Sequence, residues 1–318
     1  MELTIILTVY NKEKFLFDSF STLLNQEGAA NLEYEILVVN DGSTDGSATI
    51  IDSFAKKDSR VRVLTQCNQG ISMARNNGID AARGRYIWFV DGDDEISRDS
   101  VMHICMAMKS NPDIIPIYGQ TKGIDSIRNA VEANIQSGKE ILISNHWVLG
   151  AVFYVLSKSF LRKYDLRFLP NIYHEDAEFT PRMLYAADTV AVVPRVLYIV
   201  NRDPYGITQM PRPKRAFDYL IVAERLSSFV MERKEEGSPI GCAIDGHSSQ
   251  FINNAFNIIC KNSRSYQRKL EKDFYKKRKA LLRVLMSAPN TKYRLEAILF
   301  RLFPNHYLGI YKLLKIFH

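Results

Sequence analysis

Short apolar runs rich in β-branched residues alternate with helical patterns through the first 120 residues, and this alternation constrains the fold more than any other feature. The chain opens with such a run, Leu3–Val9, and apolar residues then recur at helical spacing through Phe15–Gln26. The same alternation predicts these further strands and helices: Tyr34–Asn40, Ser47–Lys56, Val61–Thr65, Ser72–Ala82, Tyr86–Val90, Asp99–Lys109 and Ile114–Tyr118. Such a series predicts an α/β fold with a mostly parallel, Rossmann-like sheet and helices on both faces.

Beyond residue 120 the pattern changes twice. Residues 125–202 mix strand and helix patterns, and three prolines then precede a stretch, Ala216–Phe317, that is almost wholly helical. We therefore predict one domain over residues 1–208, with parts 1–120 and 121–208, followed by a helical region over 209–318.

Charge separates the same two regions. Residues 1–208 carry 21 basic and 26 acidic side chains, whereas residues 209–318 carry 21 basic and 9 acidic ones, a net charge of +12. An anionic partner is therefore expected at the C-terminal region. Because that region contains no recognised nucleic-acid module, we do not expect the partner to be a nucleic acid.

The cysteines and the N-terminus predict a cytoplasmic location. The four cysteines form no CxxC pair and no zinc-finger spacing, which is typical of proteins in a reducing compartment. Glu2 stands where the positive region of a signal peptide would be, and the first apolar run ends within ten residues.

Polar residues follow the predicted strands, where ligands bind in parallel sheets. The first strand leads into Thr8 and Tyr10, and no GxGxxG follows it, which argues against a dinucleotide site. An aromatic ring such as Tyr10 could stack on a base or simply pack in the loop. Asp41 ends the second strand, and it could accept a hydrogen bond from the imide of a pyrimidine or belong only to the turn.

The fourth strand delivers the acidic segment Asp91-Gly92-Asp93-Asp94-Glu95. Carboxylates this close repel one another unless a cation or hydrogen-bond donors neutralise them. Mg²⁺ typically takes one or two protein carboxylates while substrate phosphates fill other positions, so this segment is a candidate metal site. The alternative is a solvated acidic turn in which Asp94 or Glu95 serves the next helix.

Two other charged features have both a structural and a functional interpretation. Arg75 lies on a predicted helix near the same edge, where it could pair with a diphosphate or form a surface salt bridge. Glu175 and Asp176 precede an apolar-periodic helix, and acidic residues are favoured there by the helix dipole. Glu175 and Asp176 are nevertheless candidates for a general base, which the candidate nucleotide–metal site otherwise lacks.

Taken in order, these segments resemble family 2 glycosyltransferases of the GT-A fold, of the type that builds bacterial cell-surface polysaccharides. The resemblance covers residues 1–120 closely and extends loosely to 208. It is carried by the following segments: Thr8-Val9-Tyr10-Asn11, Val38-Val39-Asn40-Asp41-Gly42-Ser43-Thr44-Asp45, Asn76-Asn77-Gly78-Ile79, Ala82-Arg83-Gly84-Arg85-Tyr86 and Phe89-Val90-Asp91-Gly92-Asp93-Asp94. It implies an inverting transfer of a sugar from a nucleoside diphosphate, usually UDP, to an acceptor hydroxyl.

The resemblance also implies roles for individual residues. Thr8, Tyr10 and Asp41 would hold the uracil and ribose, and Arg75 would contact the nucleotide end of the donor. Asp91, Gly92 and Asp93 would form the DxD motif that binds Mn²⁺ or Mg²⁺, with Asp93 the direct ligand and Asp94 beside it. Asp176, next to Glu175, would be the catalytic base.

The sequence departs from the family pattern in two places. Many members have two aspartates where Asn40-Asp41 stands, and many carry a Tyr-Arg step where this chain has Tyr198 followed at a distance by Arg202. Arg202 is therefore a candidate for contact with diphosphate or acceptor. The rival functions are a nucleotidyltransferase, whose phosphate loop is absent, and a non-catalytic nucleotide-sugar binder.

The last 26 residues combine apolar stripes with basic residues. Leu295, Ile298, Leu299, Leu302 and Phe303 can line one helical stripe, and Leu308, Tyr311, Leu314 and Ile316 much of another. Such helices either lie in the headgroup plane of an anionic membrane or pack on the catalytic domain. Residues 293–318 are thus a candidate peripheral contact with the inner face of the cell membrane, where a lipid-linked or carbohydrate acceptor would be reached.

Overall fold

The computed structural model describes residues 1–124, 126–144, 147–201, 212–304 and 306–316. They form two units, one comprising Met1–Asn171 with Arg182–Pro204, the other Ile172–Pro181 with Tyr205–His318. The division predicted at residue 208 lies outside the described residues.

The first unit is built on one mixed sheet. In chain order its strands are β1 (Leu3–Val9), β2 (Tyr34–Asp41), β3 (Val61–Gln66), β4 (Tyr86–Asp91), β5 (Glu95–Ile96), β6 (Ile114–Thr121), β7 (Ile127–Arg128), β8 (Tyr154–Ser157) and β9 (Val193–Val200). They are arranged in the order β3-β2-β1-β4-β8-β6-β9-β5, with β7 on β6. Strands β1 to β4 pair in parallel, β8 is antiparallel to both β4 and β6, and β9 is parallel to β6. The predicted α/β fold is therefore confirmed, with parallel pairing among β1 to β4, whereas β5, β7 and β8 pair antiparallel to their neighbours.

The first strands are continuous apolar runs in the sequence because they are buried on both faces. Every residue of β1 and β2 is buried, as expected for strands covered by helices on both faces.

The described α-helices before residue 202 are α1 (Leu16–Leu24), α2 (Ser47–Lys57), α3 (Ile71–Ala81), α4 (Ser100–Ala107), α5 (Gly138–Ser144), α6 (Lys158–Lys163) and α7 (Glu175–Ala186).

Five helices make up the described part of the chain after residue 211. They are α8 (Pro213–Glu232), α9 (Pro239–Cys260), α10 (Arg264–Ser287), α11 (Thr291–Leu302) and α12 (Tyr307–Ile316). Helix α9 begins at Pro239, because the Ser238 side chain caps it by accepting from the Gly241 amide and Pro239 occupies the first turn. Among the described residues, the helices are too short or too polar to cross a bilayer.

The two C-terminal apolar stripes have different surroundings. On α12, Leu308 and Tyr311 are buried in the helical core, so of the two alternatives for this stripe the structure supports packing for these side chains. Their aromatic and aliphatic surfaces pack against the other helices of the unit. On α11, Leu295, Ile298 and Leu302 are 46–65% exposed. The apolar stripe of α11 therefore remains available for a contact.

Candidate active site

The carboxyl ends of β2, β1 and β4 lie next to one another at one edge of the sheet in the first unit. The register pairs Thr8 of β1 with Asp91 of β4, and the Thr8 hydroxyl donates to Asp91 Oδ1 at 3.2 Å. Because neighbouring parallel strands end at the same edge, the strand pattern predicts this meeting of polar side chains, and the structure contains it.

Arg75 is buried behind this edge, with 2% of its side chain exposed. Its Nη2 donates to Asp91 Oδ1 at 3.1 Å, and its guanidinium carbon lies 5.8 Å and 5.3 Å from the ring centroids of Phe89 and Phe168. An ion pair and two cation–π contacts in a buried setting fix the orientation of the Asp91 carboxylate. Arg75 therefore positions Asp91, and its contact with the donor stays a prediction.

The two middle carboxylates of the acidic turn after β4 have different environments. Asp93 forms an ion pair with Lys12 and keeps 19% of its side chain exposed. Asp94 is 6% exposed, and it accepts hydrogen bonds from the Tyr198 hydroxyl and the Asn201 amide, both at 2.7 Å. Asp94 therefore fastens the turn to the end of β9, whereas Asp93 stays accessible to a cation.

Burial changes the protonation of this turn. Burial raises the pKa of Asp93, against the opposing effect of the Lys12 ammonium. Burial and the negative charges of Asp91 and Asp93 raise the pKa of Asp94 to about 8, although Tyr198 donates to it. The raised pKa values mean that ionising all the carboxyl groups of the turn is unfavourable in this setting, and a bound cation would favour their ionised form.

Gly92 allows this turn to approach β1 closely. Its amide donates to the Thr8 carbonyl oxygen at 2.9 Å, and a Cβ placed on it would lie 2.9 Å from that same oxygen. A larger residue would therefore push the acidic turn away from the strand. Gly92 thus acts through backbone geometry at the candidate site.

Asp41 organises the loop that connects β3 to α3. Its Oδ1 accepts from Gln66 Nε2 at 2.7 Å and from the Gln69 amide at 2.8 Å, and its Oδ2 accepts from the Gly70 amide at 2.9 Å. Since each carboxylate oxygen has two lone pairs, Oδ2 retains one acceptor site. The contact of Asp41 with a pyrimidine imide stays a prediction. In the structure, Asp41 stabilises the loop between β3 and α3.

Tyr10 extends from the end of β1 into solvent, with 43% of the residue exposed. The next residue, Asn11, has a φ of 53° and accepts from the Thr44 amide at 2.7 Å. This left-handed residue turns the chain sharply, which leaves the preceding ring at the surface. An exposed aromatic ring at this edge is suited to stacking on a planar base.

The predicted acid pair begins α7 and belongs to the second unit. Glu175 is buried, at 9% exposed, while Asp176 is half-buried. Both lie in the first turn of the helix, where the backbone dipole stabilises negative charge. Of the two carboxylates, Asp176 is the more accessible.

The segment that carries Asp176 is anchored to α8 within the second unit. The Tyr173 amide donates to Asp218 Oδ2 at 2.8 Å, and Glu178, only 1% exposed, forms an ion pair with Arg225 at 3.0 Å. These bonds flank Asp176 on both sides. They hold its backbone in place without using its side chain.

His174 adds a ring contact to the same anchor. Its imidazole stacks on Tyr219 at a centroid distance of 3.7 Å, and Tyr219 stacks on Phe251 at 5.5 Å. Burial lowers the pKa of His174 to about 3, with further lowering by the nearby Arg215 and Lys214. The imidazole is therefore neutral at pH 7 and acts as a packing group.

Three residues contact the acidic turn in a way that the sequence did not predict: Lys12, and also Tyr198 and Asn201, which lie at the departure from the family's Tyr-Arg step. Lys12 directly follows the polar end of β1, and proximity to that strand end is the signal that could have indicated it. Tyr198 and Asn201 contact the acidic turn from more than 100 residues away, and no local pattern predicts such contacts. Arg202, the remaining predicted residue, lies outside the described residues.

The residues present fit a divalent cation bound together with a diphosphate. Within the described ranges, His, Cys, Asp and Glu side chains nowhere converge in groups of three or more that could hold a metal. Asp91 and Asp93 supply hard oxygen ligands. Asp93 forms an ion pair with the Lys12 ammonium, so a positive charge already lies beside this carboxylate. One or two protein carboxylates completed by phosphate oxygens are what Mg²⁺ and similar ions typically take.

Comparison with known proteins identifies the family of the chain. The family model for glycosyl transferase family 2 matches residues 4–168, which is more than half of the chain. The uncharacterized glycosyltransferase EpsJ of Bacillus subtilis is 32% identical over 222 residues, which cover 65% of this chain and 63% of EpsJ. The minor teichoic acid biosynthesis protein GgaA of the same organism is 28% identical over 238 residues, covering 69% of this chain and 52% of GgaA. The chain thus spans less than two thirds of the length of these relatives.

Solved structures show the same fold. S. aureus TarS 1–349 has a TM-score of 0.78 and 18% identity, and the match covers 100% of this chain and 92% of that one. The complex of TarS 1–349 with UDP-GlcNAc has a TM-score of 0.76, at 18% identity and 99% and 90% coverage. From the family match and the shared fold it follows that the chain belongs to glycosyl transferase family 2 and has the GT-A fold.

Proposed function

We propose that this protein transfers a hexosyl or N-acetylhexosaminyl group from a UDP-sugar to an acceptor hydroxyl, with inversion at the anomeric carbon. The observation that carries the proposal is the Asp91–Asp93 pair at the end of β4, held by Thr8, Arg75 and Lys12. The solved complexes of TarS with UDP-GlcNAc and with UDP support a uridine donor.

Donor binding is assigned to the edge formed by β1, β2 and β4. Tyr10 offers an exposed ring for the uracil, and Asp41 retains one acceptor site for its imide. Asp93 and Asp91 would hold Mn²⁺ or Mg²⁺, which supplies a Lewis acid that neutralises the diphosphate leaving group. Arg75 keeps the Asp91 carboxylate oriented for this purpose.

Asp176 is proposed as the catalytic base. Its carboxylate would take the proton of the acceptor hydroxyl while that oxygen attacks the anomeric carbon from the face opposite the diphosphate. The bonds of Tyr173 and Glu178 to α8 fix the backbone around Asp176. Little conformational entropy of this segment would therefore be lost when the Asp176 carboxylate contacts the acceptor hydroxyl.

The acceptor is proposed to be a carbohydrate or lipid-linked glycan of cell-surface polysaccharide assembly. Two relatives are named for related polymers: GgaA for minor teichoic acid biosynthesis, and a Bacillus spizizenii protein as a poly(ribitol-phosphate) beta-glucosyltransferase, 35% identical over 127 residues. Their names support a polymer acceptor of this general kind.

A screen of sugar nucleotides tests the proposed reaction. With Mn²⁺ or Mg²⁺ present, we expect one UDP-sugar to release UDP, faster when a suitable acceptor is added. Tight UDP binding without turnover on any donor–acceptor pair would instead indicate a nucleotide-sugar binder. Pyrophosphate release from UTP and a sugar phosphate would indicate a nucleotidyltransferase.

The exposed face of α11 supports a peripheral membrane contact. Leu295, Ile298 and Leu302 recur every three or four residues, and the basic Arg294 and Arg301 flank them on the same helix, both exposed. Apolar residues beside cations favour the headgroup plane of an anionic bilayer, and each basic residue near it contributes about 1 kcal/mol. A lipid-linked acceptor would be reached from that position.

Liposome flotation checks this contact with the full chain. The protein should float with vesicles that contain phosphatidylglycerol and should be released by high salt, because the basic residues supply part of the attraction. The double variant Ile298→Ser with Leu302→Ser should remain in the bottom fraction, because it removes much of the exposed apolar stripe. The control Met231→Ser changes an exposed apolar residue of α8 and should float. Equal flotation of all three proteins, or of none, contradicts a contact through α11.

A further inference from the structure

A polar cleft of about 390 Å³ lies among α9, α11 and α12 in the second unit. Its lining includes Asn253 and Asn257 of α9, Lys292 and Tyr293 of α11, and Tyr311 and Lys315 of α12. Its volume falls in the range of about 300–1,000 Å³ that is usual for small-molecule sites. None of the functions proposed above uses this cleft.

The walls of the cleft are held in place by internal bonds. Asn253 is 7% exposed, and its Nδ2 donates to Glu296 Oε2 at 3.0 Å. Tyr311 is 4% exposed, and its hydroxyl donates to the Asn253 carbonyl oxygen at 3.4 Å. Lys315 donates to Asn257 Oδ1 at 2.7 Å. The Asn253 and Tyr311 bonds are buried and the Lys315 bond is exposed, so the wall at Asn253 is the part of the cleft that is fixed before any ligand arrives.

The chemistry of the lining identifies the class of ligand. All the lining side chains that the structure describes are amides, phenols or ammonium groups, so the cleft carries the positive charge of Lys292 and Lys315. Amides and phenols both donate to and accept from hydroxyl groups, and ammonium groups pair with phosphate oxygens. A ligand that bears several hydroxyls and one phosphate satisfies both sets.

The cleft is also linked to the segment that carries Asp176. Asn254, another lining residue, opposes the rise that burial causes in the pKa of Tyr219, and the Tyr219 ring stacks on His174 at 3.7 Å. His174 lies two residues before Asp176. All of these residues belong to the second unit, so a ligand in the cleft would touch the packing that anchors the proposed base.

We propose that this cleft binds a polyol- or sugar-phosphate portion of the acceptor, at a subsite separate from the hydroxyl that is glycosylated. The proposal rests on the proposed glycosyltransferase reaction for its role. The binding itself does not depend on turnover, because the lining residues form the site on their own.

Equilibrium binding to the full chain tests the cleft with glycerol 3-phosphate, glycerol and inorganic phosphate as probes. Saturable binding of glycerol 3-phosphate should exceed that of either other probe. Lys292→Gln with Lys315→Gln should weaken it by about tenfold or more, since hydrogen bonds to charged groups are the strong ones. The matched control Lys261→Gln removes an exposed lysine elsewhere in the unit and should bind as the unmodified protein does.

Three results would overturn the assignment. Equal affinity for inorganic phosphate and glycerol 3-phosphate would mean that the lysines attract any phosphate and that the amides recognise nothing. Unchanged binding in the double lysine variant, or no saturable binding, would mean that the cleft is solvated surface. The proposed reaction fails separately: saturable binding together with failure of every UDP-sugar assay would overturn that reaction and leave the cleft intact as a binding site.

Discussion

Asp176→Asn is expected to lower the rate of sugar transfer by about 10²–10⁴-fold, the usual contribution of a general base, while UDP binds as before. Asparagine keeps the size of the side chain and its compatibility with the first turn of α7, but it cannot accept the proton of the acceptor hydroxyl. Donor binding is assigned to the strand ends of the first unit, so the UDP affinity should be unaffected. Calorimetry with UDP and a transfer assay measure the two effects separately.

The matched control for this variant is Asp52→Asn, which makes the same chemical change at an exposed position on α2. We expect it to transfer sugar at the rate of the unmodified protein. If Asp176→Asn retains transfer within a few-fold of that rate, the Glu175–Asp176 pair serves only the start of α7. The base would then have to be sought elsewhere.

Removal of divalent metal should weaken UDP binding by at least about tenfold, because the diphosphate and the Asp91–Asp93 pair would then repel each other without a cation between them. Calorimetric titration of UDP in EDTA, compared with Mn²⁺ or Mg²⁺, measures this difference. Asp93→Asn should bind UDP with similar affinity in both conditions, since the main ligand is lost. Asp93 keeps 19% of its side chain exposed, so a metal can reach it in competition with Lys12.

Glu95→Gln is the control for the metal prediction. Glu95 belongs to the same acidic segment, but it pairs with Lys122 at 2.5 Å and accepts from Asn201 Nδ2 at 3.0 Å. Its replacement should leave the metal dependence of UDP binding as it is in the unmodified protein. Equal UDP affinity with and without metal in the unmodified protein would contradict the assignment of Asp93.

Local sequence patterns predict the parallel half of the sheet and the edge at which the candidate donor site is expected. Strands buried on both faces require continuous apolar runs, so β1, β2 and β4 are visible as local patterns. The carboxyl ends of parallel strands share one edge, so the polar residues after those runs had to meet there. Thr8 and Asp91 are hydrogen-bonded for this reason.

Contacts between distant segments of the folded chain separate the polar groups that stabilise the fold from those that remain available. Asp93 and Asp94 are adjacent in sequence, yet Asp94 is turned inward by Tyr198, 104 residues away, while Asp93 meets Lys12, 81 residues away. The apolar stripes of α11 and α12 have similar composition, yet Tyr311 packs in the core and Leu302 is exposed. Sequence periodicity identifies a face or a turn, but its burial depends on which distant element packs against it, and that is a property of the folded chain.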